Sequence, residues 1–412
     1  MSAVLDNHGH AHDDGHGHDD HHDHHPSGFM RWVKTTNHIE LALPPIVHGL
    51  VERDPVTLGQ LADVLARREV DLIGPLRAAL QADINEAGTT ASADDKGTII
   101  LLHIPIRRSV EAEPDGVAHR AFLVPIGGLE LGIACGALFV HEKRYYKDLL
   151  NQQPATAWRE QPILPMAVLT QNDRTAAMRQ SGVTEEGPAG VLVGAGSLGS
   201  ALLNLWGRSG WGRWTVIDKD HIKPHNLSRH GAYAQHIGET KATVVAGLHS
   251  AAMEGATEIV PLAADACDFA QVDFAQALAG AALAIDASTT LEYPRAASAV
   301  DTLPRHFSVF VTPNGNAAVL LAEDAKRMQR LRTLEAQYYR ALIQQDWGRV
   351  HLDGHASTFW SGASCRDISL VMPYSRILGQ ASTLAEQIQA AVAREDALIR
   401  IWQRDPARGG VE

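Results

Sequence analysis

The chain has 412 residues, 45% of them hydrophobic, and a formal net charge of −12 at pH 7. This length suffices for a full core and predicts two domains. The acidic balance gives no electrostatic basis for binding nucleic acid, and no apolar run is long enough to span a membrane. Three cysteines without a CxxC pair exclude a disulfide framework or a cysteine-rich zinc site, so we expect a soluble cytoplasmic protein.

Residues 1–28 form a segment dominated by His, Asp and Gly. Its apolar surface is too small to offset the entropy lost on ordering, and we expect a disordered tail. Imidazoles in such a tail bind zinc, nickel or copper loosely. A solvated tail with incidental metal affinity is the favoured interpretation.

Residues 29–170 mix helical and strand patterns, which predicts a small α+β accessory domain. Apolar residues recur at helical spacing over Leu58–Leu80, and strand patterns cover Thr98–Ile104 and Ala121–Pro125. Its histidines are scattered along the sequence, and we find no motif there that carries chemistry.

From residue 171 onward, strand and helix patterns alternate, which is typical of an open parallel sheet with helices on both faces. A polar connector with one short helix comes first, over residues 171–187. Strands are predicted at 191–193, 214–218, 258–262, 281–286, 307–311 and 317–321, and helices at 197–206, 241–253, 268–278, 324–345 and 377–402. Residues 171–325 are thus a predicted nucleotide-binding domain, and residues 326–412 a C-terminal helical segment.

The first of these strands leads into a glycine loop in which Gly194, Gly196 and Gly199 have GxGxxG spacing. Such a loop brings a phosphate close to bare backbone N–H groups at a helix N-terminus, where the helix dipole favours negative charge. The spacing alone does not identify a ligand, because a tight strand-to-helix turn without a ligand uses the same residues.

Charged residues follow at the ends of the next strands. Asp218 ends the second strand, where an acidic residue holds a ribose and fits NAD as well as ATP. Arg229 and Lys241 supply more positive charge than a nicotinamide site needs, but they suit the β,γ-diphosphate of a nucleoside triphosphate. Asp286 ends the fourth strand at the same edge of the sheet and is a candidate Mg²⁺ ligand.

This ordered set resembles the ThiF/MoeB superfamily, which includes the activating enzymes for ubiquitin-like proteins. The glycine loop is similar to that of the family. The other matching segments are Asp218-Lys219-Asp220, Asn226-Leu227-Ser228-Arg229-His230, Ile237-Gly238-Glu239-Thr240-Lys241-Ala242 and Asp286-Ala287-Ser288. They resemble, in order, the family's Asp-x-Asp and Asn-Leu-x-Arg-Gln segments, its Ile-Gly-x-x-Lys-Ala helix start and its magnesium strand. The resemblance covers residues 187–320.

The resemblance implies a Rossmann-like, doubly wound, mostly parallel α/β adenylation domain with ATP and Mg²⁺ as cofactors. It implies that Asp286 is the magnesium ligand and that Arg229, Lys241 and Asp286 serve catalysis. The implied ATP-binding residues are Gly194, Gly196, Gly199, Asp218, Asp220, Asn226, Arg229 and Lys241. In the implied reaction, the C-terminal carboxylate of a small protein, usually one ending in Gly-Gly, attacks the α-phosphate of ATP and releases pyrophosphate. A homodimer is implied in the same way.

The sequence departs from the family's pattern in three places. Thr289 and Thr290 stand where a second Asp-Asn pair is common, so magnesium must rest on Asp286. The zinc-binding CxxC pairs of many bacterial members are missing. The family's Arg-rich start has no clean counterpart, and Arg174 and Arg179 are weak candidates for it.

A thioester step after adenylation needs a cysteine whose pKa is lowered by its surroundings. Cys365 is the best candidate, because it lies in a polar stretch beside Arg366 and after His351 and His355. Cys135 lies in an apolar run and Cys267 at a predicted helix start. An ordinary loop thiol is an equally good interpretation of Cys365.

We therefore interpret the chain as an ATP-dependent activating enzyme for a ubiquitin-like protein, which hands its product to a conjugating enzyme. The accessory domain and the missing zinc pairs favour, by analogy, a bacterial conjugation system of an antiphage defence operon. The alternatives are a sulfur-carrier adenylyltransferase of cofactor biosynthesis, an NAD-dependent oxidoreductase, and a non-catalytic partner that only docks a ubiquitin-like protein.

Overall fold

The computed structural model of the chain describes residues 2–6, 29–32, 38–49, 53–84, 97–149, 156–170, 172–253, 259–353, 358–360, 368–405, 407–408 and 410–411. The chain divides into two compact units, Met1–Thr170 and Gln171–Glu412. None of the helices in the described ranges combines the length and the hydropathy needed to cross a bilayer.

The first unit is built around one mixed sheet with helices packed on it. Its strands are β1 (Ser2–Asp6), β2 (Phe29–Trp32), β3 (His38–Ala42), β4 (Ile46–Val47), β5 (Thr98–Arg107), β6 (Gly116–Val124), β7 (Leu138–His141), β8 (Arg144–Lys147) and β9 (Leu164–Leu169). Its helices are α1 (Leu58–Ala66), α2 (Ile73–Ala82) and α3 (Gly128–Ala134). The sheet order is β2-β1-β9-β6-β5-β3, with β4 also paired to β5, while β7 and β8 form a separate hairpin.

The strand predictions at Thr98–Ile104 and Ala121–Pro125 correspond to β5 and β6. The prediction of one continuous helix over Leu58–Leu80 is wrong. The segment is broken into α1 and α2. Between them Glu69 has a left-handed backbone, with φ 62°. The Asp71 carboxylate then accepts hydrogen bonds from the N–H groups of Ile73 and Gly74. Such local side-chain bonds offer the backbone an alternative to helix, so the apolar spacing continues across a turn.

The disordered tail predicted for residues 1–28 falls almost entirely outside the described residues, and so do all its histidines. Ser2–Asp6 are an exception, because they form β1 and pair antiparallel with both β2 and β9. This short piece precedes the His-rich sequence, and Ala3-Val4-Leu5 gives it apolar strand character. For these five residues the prediction of disorder is wrong.

The second unit is a doubly wound α/β domain. Its strands are β10 (Ala189–Val193), β11 (Arg213–Ile217), β12 (Ile259–Leu262), β13 (Leu283–Asp286), β14 (Arg305–Val311), β15 (Ala317–Ala322), β16 (Thr358–Trp360), β17 (Ile368–Leu370) and β18 (Leu398–Gln403). Its helices are α4 (Arg174–Ser181), α5 (Ser197–Ser209), α6 (Lys241–Ala252), α7 (Val272–Ala279), α8 (Glu292–Ala297), α9 (Leu331–Gln344), α10 (Gly348–His351) and α11 (Tyr374–Val392).

The main sheet of this unit has the order β12-β11-β10-β13-β14-β15-β18. Neighbouring strands from β12 to β14 pair in parallel, and β15 and β18 add two antiparallel pairings. Both faces are covered, because Leu192 of β10 packs with α5 and α11 while Val191 and Val193 pack with α7 and α8. This explains the continuous apolar run of the strand. The mostly parallel, doubly wound fold class predicted from the sequence is confirmed.

The C-terminal segment is not purely helical, contrary to the prediction. The helix predicted over 377–402 ends at Val392, and Leu398–Gln403 form β18, which pairs antiparallel with β15. Ile399 and Ile401 of that strand pack against the buried residues of α9. The β-branched and aromatic residues of Leu-Ile-Arg-Ile-Trp-Gln suit a sheet position, so residues from this end of the chain complete the central sheet.

Two predicted helices begin later than expected. Helix α7 begins at Val272 rather than Asp268, and α9 begins at Leu331 rather than Asp324. In both cases the aspartate accepts backbone hydrogen bonds close by in the chain, Asp268 from Ala270 and Asp324 from Gln329. These bonds form turns that precede the helices.

Candidate active site

A cavity of about 840 Å³ opens at the carboxyl ends of the parallel strands of the second unit. Val193 at the end of β10 lies beside Ile217 of β11 and Asp286 of β13, so the loops that follow these strands are neighbours. The predicted site residues that line the cavity are Gly194, Gly196, Asp218, Asp220, Asn226, Arg229, Lys241 and Asp286. Ligands of open α/β sheets bind in this position.

The three glycines of the loop lie in different surroundings. Gly194 has φ 96°, and a Cβ there would lie 2.7 Å from the backbone of Ser288. A Cβ on Gly199 would clash with the carbonyl oxygen of Gly194, so this glycine lets α5 pack closely on the loop. Around Gly196, by contrast, no described atom beyond its chain neighbours lies within 4 Å of such a Cβ. Two glycines are therefore required by packing, and Gly196 faces open space.

Gly196 also precedes the N-terminus of α5, a helix of 13 residues. No described side chain forms a hydrogen-bonded cap at this helix start. The first backbone N–H groups of a helix have no partner within the helix, and the dipole adds partial positive charge. The open space beside Gly196 is therefore suited to an anion.

Asp218 connects the second strand to the glycine loop. Its Oδ2 accepts a hydrogen bond from the N–H of Ala195 at 2.8 Å, and its Oδ1 accepts one from the N–H of Asp220 at 2.8 Å. Burial raises the pKa of Asp218, against the lowering influence of the positive charge of Lys241. The carboxylate thus fixes the loop at the point where the sequence predicts a ribose ligand.

His230 fixes the same loop from the other side, a role that was not predicted. The side chain is buried, with 3% exposed, and its Nε2 lies 2.7 Å from the carbonyl oxygen of Ala195. Its Nδ1 accepts a hydrogen bond from the N–H of Ala232 at 3.0 Å. Nε2 is therefore the protonated nitrogen of a neutral ring and donates to Ala195. Burial lowers the pKa of His230, which favours this neutral form.

Lys241 and Arg229 bring positive charge to the cavity. The Nζ atom of Lys241 lies 2.9 Å from Oδ2 of Asp220, and only 14% of the lysine side chain is exposed. Burial acts to raise the pKa of Asp220, but the hydrogen bond and charge of Lys241, together with the charges of Lys219 and Lys223, lower it overall. Burial lowers the pKa of Arg229, but a guanidinium stays protonated at neutral pH.

Asp286 is the most deeply buried carboxylate of the cavity lining, with 2% of the residue exposed. Its Oδ1 accepts hydrogen bonds from the hydroxyl and the N–H of Ser288, at 2.6 and 3.1 Å, and its Oδ2 accepts one from the hydroxyl of Ser308 at 2.7 Å. Burial raises the pKa of Asp286 in spite of these bonds. The side chain is held in place by three donors.

The carboxylate of Asp286 can serve as a ligand for Mg²⁺ that arrives with a nucleotide. Within the described part of the chain, no group of three or more His, Cys, Asp or Glu side chains is placed to hold a metal ion. Protein sites for Mg²⁺ commonly use one or two carboxylates together with water and substrate phosphates. Asp286 supplies one carboxylate, so the metal ligands of the protein fit a phosphate-bound Mg²⁺ and not a preformed protein cage.

Not all sequence candidates lie at the cavity. Cys365 and His355 fall outside the described residues. Arg174 donates to the carbonyl oxygens of Gly210 and Glu186 and is not among the cavity-lining residues, so it holds α4 to the end of α5. Arg179 is exposed and is also absent from the lining.

The other two cysteines occupy contrasting positions. Cys135 is buried, and burial raises its pKa to about 12, as expected for an unreactive structural thiol. Cys267 lines the cavity, and burial together with the nearby charge of Asp265 raises its pKa. Neither thiol has the lowered pKa of a cysteine nucleophile.

The far side of the cavity is apolar and aromatic, and sequence reasoning missed it. Its lining residues there include Phe310, Tyr338, Tyr339, Leu352 and Met372. They come from β14, from α9 and from segments on either side of β16 and β17. No local motif marks them, because the fold brings them together from distant parts of the sequence.

Comparisons with known proteins find one family model and several solved structures that are similar to this chain. Residues 189–335 match the model of the ThiF family. No curated protein matches the chain in sequence. Among solved structures, E. coli MccB with AMPCPP and selenomethionine MccA is similar at 12% identity and a TM-score of 0.37, over 57% of this chain and 65% of that one.

Two further structures are similar to the same extent. The microcin C7 biosynthetic enzyme MccB with N-formylated MccA has 13% identity and a TM-score of 0.39, over 57% of this chain and 66% of that chain. Selenomethionine PaaA has 13% identity and a TM-score of 0.37, over 54% and 62% of the two chains. The match thus spans less than two thirds of each of these proteins. The ThiF-family model matches residues 189–335, which is less than half of this chain.

Proposed function

We propose that the chain is an adenylyltransferase that uses ATP to activate a carboxylate. The observation that carries this proposal is the meeting of two opposite charge environments in one cavity. Bare backbone at Gly196 lies with Lys241 and Arg229 on one side, and Asp286 lies on the other. A nucleoside triphosphate with bound magnesium needs both environments, whereas a nicotinamide dinucleotide needs neither Lys241 nor Asp286.

In the proposed reaction, the phosphates of ATP occupy the space beside Gly196 and the start of α5. An oxygen of the substrate carboxylate forms a bond to the α-phosphorus, and the bond from that phosphorus to the β-phosphate oxygen breaks. Pyrophosphate leaves with the electron pair, and Lys241 and Arg229 neutralise its growing negative charge. The contribution of the protein is positioning and charge stabilisation, since no protein group needs to form a covalent bond.

Asp218 and Asp286 take the remaining roles. Asp218 already holds Ala195 and Asp220 through one bond to each oxygen. Each carboxylate oxygen can accept a second bond, so a ribose hydroxyl can be added. Asp286 would ligate Mg²⁺, which when bound neutralises phosphate charge.

We propose that the carboxylate belongs to the C-terminal tail of a small ubiquitin-like protein ending in glycine. The apolar and aromatic surface formed by Phe310, Tyr338 and Tyr339 continues the cavity beyond Asp286 and can bury the last residues of an extended tail. A sulfur-carrier protein of cofactor biosynthesis has the same kind of tail and remains the second candidate. A homodimer and a conjugating enzyme belong to the same proposal.

Cys365 is the proposed thioester cysteine, and chain connectivity supports it. Leu352 and Met372, which bracket its segment, both line the cavity. The Asn314 side chain donates to the carbonyl oxygens of His351 and Asp353, which holds the first end there. Cys365 precedes Met372 by seven residues, and an extended chain of that length reaches at most about 25 Å. In this step the Cys365 thiolate attacks the acyl carbonyl carbon and AMP leaves.

Exchange of labelled pyrophosphate into ATP tests the adenylation step. The assay would use a panel of ubiquitin-like and sulfur-carrier proteins ending in Gly-Gly, with Lys241→Ala and Lys219→Ala as a matched pair. Lys219 also lines the cavity, but it is 60% exposed and paired with Asp265, so its loss should change exchange less than about threefold. Loss of Lys241 should reduce it about 100-fold.

Equal sensitivity to the two lysine substitutions, or no exchange with any member of the panel, would refute the proposed reaction. The cysteine is tested separately by a gel assay for a thiol-sensitive adduct between the chain and its substrate. The adduct should disappear in Cys365→Ser and persist in Cys267→Ser. If it persists in Cys365→Ser, the assignment of this cysteine is wrong.

A further inference from the structure

The glycine loop is held by side chains at its central residue, Ala195. This residue is buried, its N–H donates to Asp218, and its carbonyl oxygen accepts from His230. We propose that His230 is a positioning residue for nucleotide binding, which acts by fixing the direction of the Gly196 N–H. The proposal rests on the proposed function only in taking a phosphate as the ligand of the loop.

Peptide planarity links His230 to the ligand. The carbonyl oxygen of Ala195 and the N–H of Gly196 belong to one trans peptide unit and point in opposite directions. A donor that holds this oxygen at 2.7 Å therefore also holds the Gly196 N–H pointing away from His230. Gly196 lines the cavity, and a Cβ built on it would meet open space. The proposal is that its N–H is directed into this cavity, where a phosphate oxygen fits.

The tautomer of His230 favours only one orientation of the peptide between Ala195 and Gly196. Its Nδ1 accepts from the Ala232 N–H, so the ring proton lies on Nε2 and faces Ala195. A reversed peptide would place the Gly196 N–H opposite that proton, two donors facing each other. Burial of the pair would leave both without a partner, which is costly in a protein interior. His230 thus favours one orientation of this peptide before the nucleotide arrives.

His230 also belongs to the segment that supplies the phosphate-binding cation. Arg229 precedes it directly, and the Arg229 N–H donates to the carbonyl oxygen of Asn226. The bonds of His230 to Ala195 and Ala232 connect this segment to the glycine loop. One side chain therefore orients a backbone donor and ties the loop to the stretch that carries Arg229.

Two neutral amide substitutions separate the two bonds of His230. In His230→Gln, the amide nitrogen takes the place of Nε2 and can donate to Ala195. In His230→Asn, the amide oxygen takes the place of Nδ1 and can accept from Ala232, while the donor to Ala195 is lost. Calorimetric titration with MgATP, without any carrier protein, should give a Kd within about threefold of wild type for His230→Gln. For His230→Asn the Kd should rise about tenfold or more.

Equal affinities of the wild type and both variants would overturn the role of His230. They would leave the adenylation proposal intact, whereas a wild-type chain that does not bind MgATP would refute the proposed function. If His230→Asn does not fold, a measurement on the wild-type chain still tests the proposal. Nitrogen-15 histidine NMR should show His230 as the Nε2–H tautomer, with slower exchange of that proton when MgATP is added. The Nδ1–H tautomer, or an unchanged exchange rate, contradicts the proposal.

Discussion

The loops after β10 and β13 lie side by side in the sheet but are built in opposite ways. The first presents backbone, and it is held from outside by Asp218 and His230. The second presents a carboxylate, Asp286, which is held by the hydroxyls of Ser288 and Ser308. The first is therefore suited to an anion and the second to a cation, and a nucleotide with bound magnesium places both charges at this boundary.

Each of the two loops also contains a left-handed backbone residue, but the residue types differ. Gly194 has φ 96° at no steric cost to its own residue, and its tight packing against Ser288 leaves no room for a side chain. In the second loop Thr289 has φ 60°, which is unfavourable for a β-branched residue. The first loop thus depends on close packing, and the second contains local strain close to Asp286.

The largest expected effect comes from the packing of the first loop. Gly199→Ala places a methyl group against the carbonyl oxygen of Gly194, and we expect it to lower the free energy of unfolding by about 3 kcal/mol. Gly196→Ala is the matched control, since its backbone φ of −72° is allowed for alanine. It should change stability by less than about 0.5 kcal/mol while weakening MgATP binding. Urea unfolding and calorimetry measure the two effects, and equal stability losses would contradict the assigned roles.

Asp286→Asn is expected to separate function from stability. The exchange of pyrophosphate into ATP should fall about 100-fold. The nucleotide-free variant should melt at a higher temperature than wild type at pH 7.5, because a buried carboxylate no longer has to be charged. Burial raises the folded-state pKa of Asp286 above its ordinary 3.8. The stability that the protonated group contributes is therefore full below that value and lost as the pH rises through the folded pKa.

The difference in melting temperature between Asp286→Asn and wild type should accordingly shrink as the pH falls toward 4. Thermal melts across this pH range measure it. A variant that is less stable than wild type at neutral pH would show that the bonds from Ser288 and Ser308 outweigh the cost of burying the charge.

The smallest expected effect concerns the strain in the second loop. Thr289→Gly should raise the free energy of unfolding by about 1 kcal/mol, because glycine adopts a positive φ without steric cost. Thr290→Gly, at a position without positive φ, should instead lower it by about 0.5 kcal/mol. Urea unfolding of both variants decides the point. If Thr289→Gly is no more stable than Thr290→Gly, the backbone at Thr289 is not strained.

The residues that a parallel sheet brings together could be predicted from the sequence. Gly194, Asp218 and Asp286 each end or follow a strand, and the ends of adjacent parallel strands meet at one edge. The spacing of the glycines and the position of Lys241 at a helix start are local features too. The cavity lining includes these four residues.

Long-range features could not be predicted in this way. His230 acts on Ala195, 35 residues earlier in the chain, and its tautomer depends on the Ala232 N–H, which only the folded loop places. The aromatic end of the cavity is assembled by tertiary packing. The helix prediction is wrong over β18 because a short apolar run after a helical pattern fits either structure.

Direct comparison of MgATP and NAD⁺ binding by calorimetry tests the central claim most simply, because it needs no protein substrate. The account predicts saturable binding of MgATP to the wild-type chain, lost in Lys241→Ala and retained in Lys219→Ala, with no binding of NAD⁺. Binding of NAD⁺ that is unaffected by Lys241→Ala, together with no binding of MgATP, would contradict the account and identify the glycine loop as a dinucleotide site.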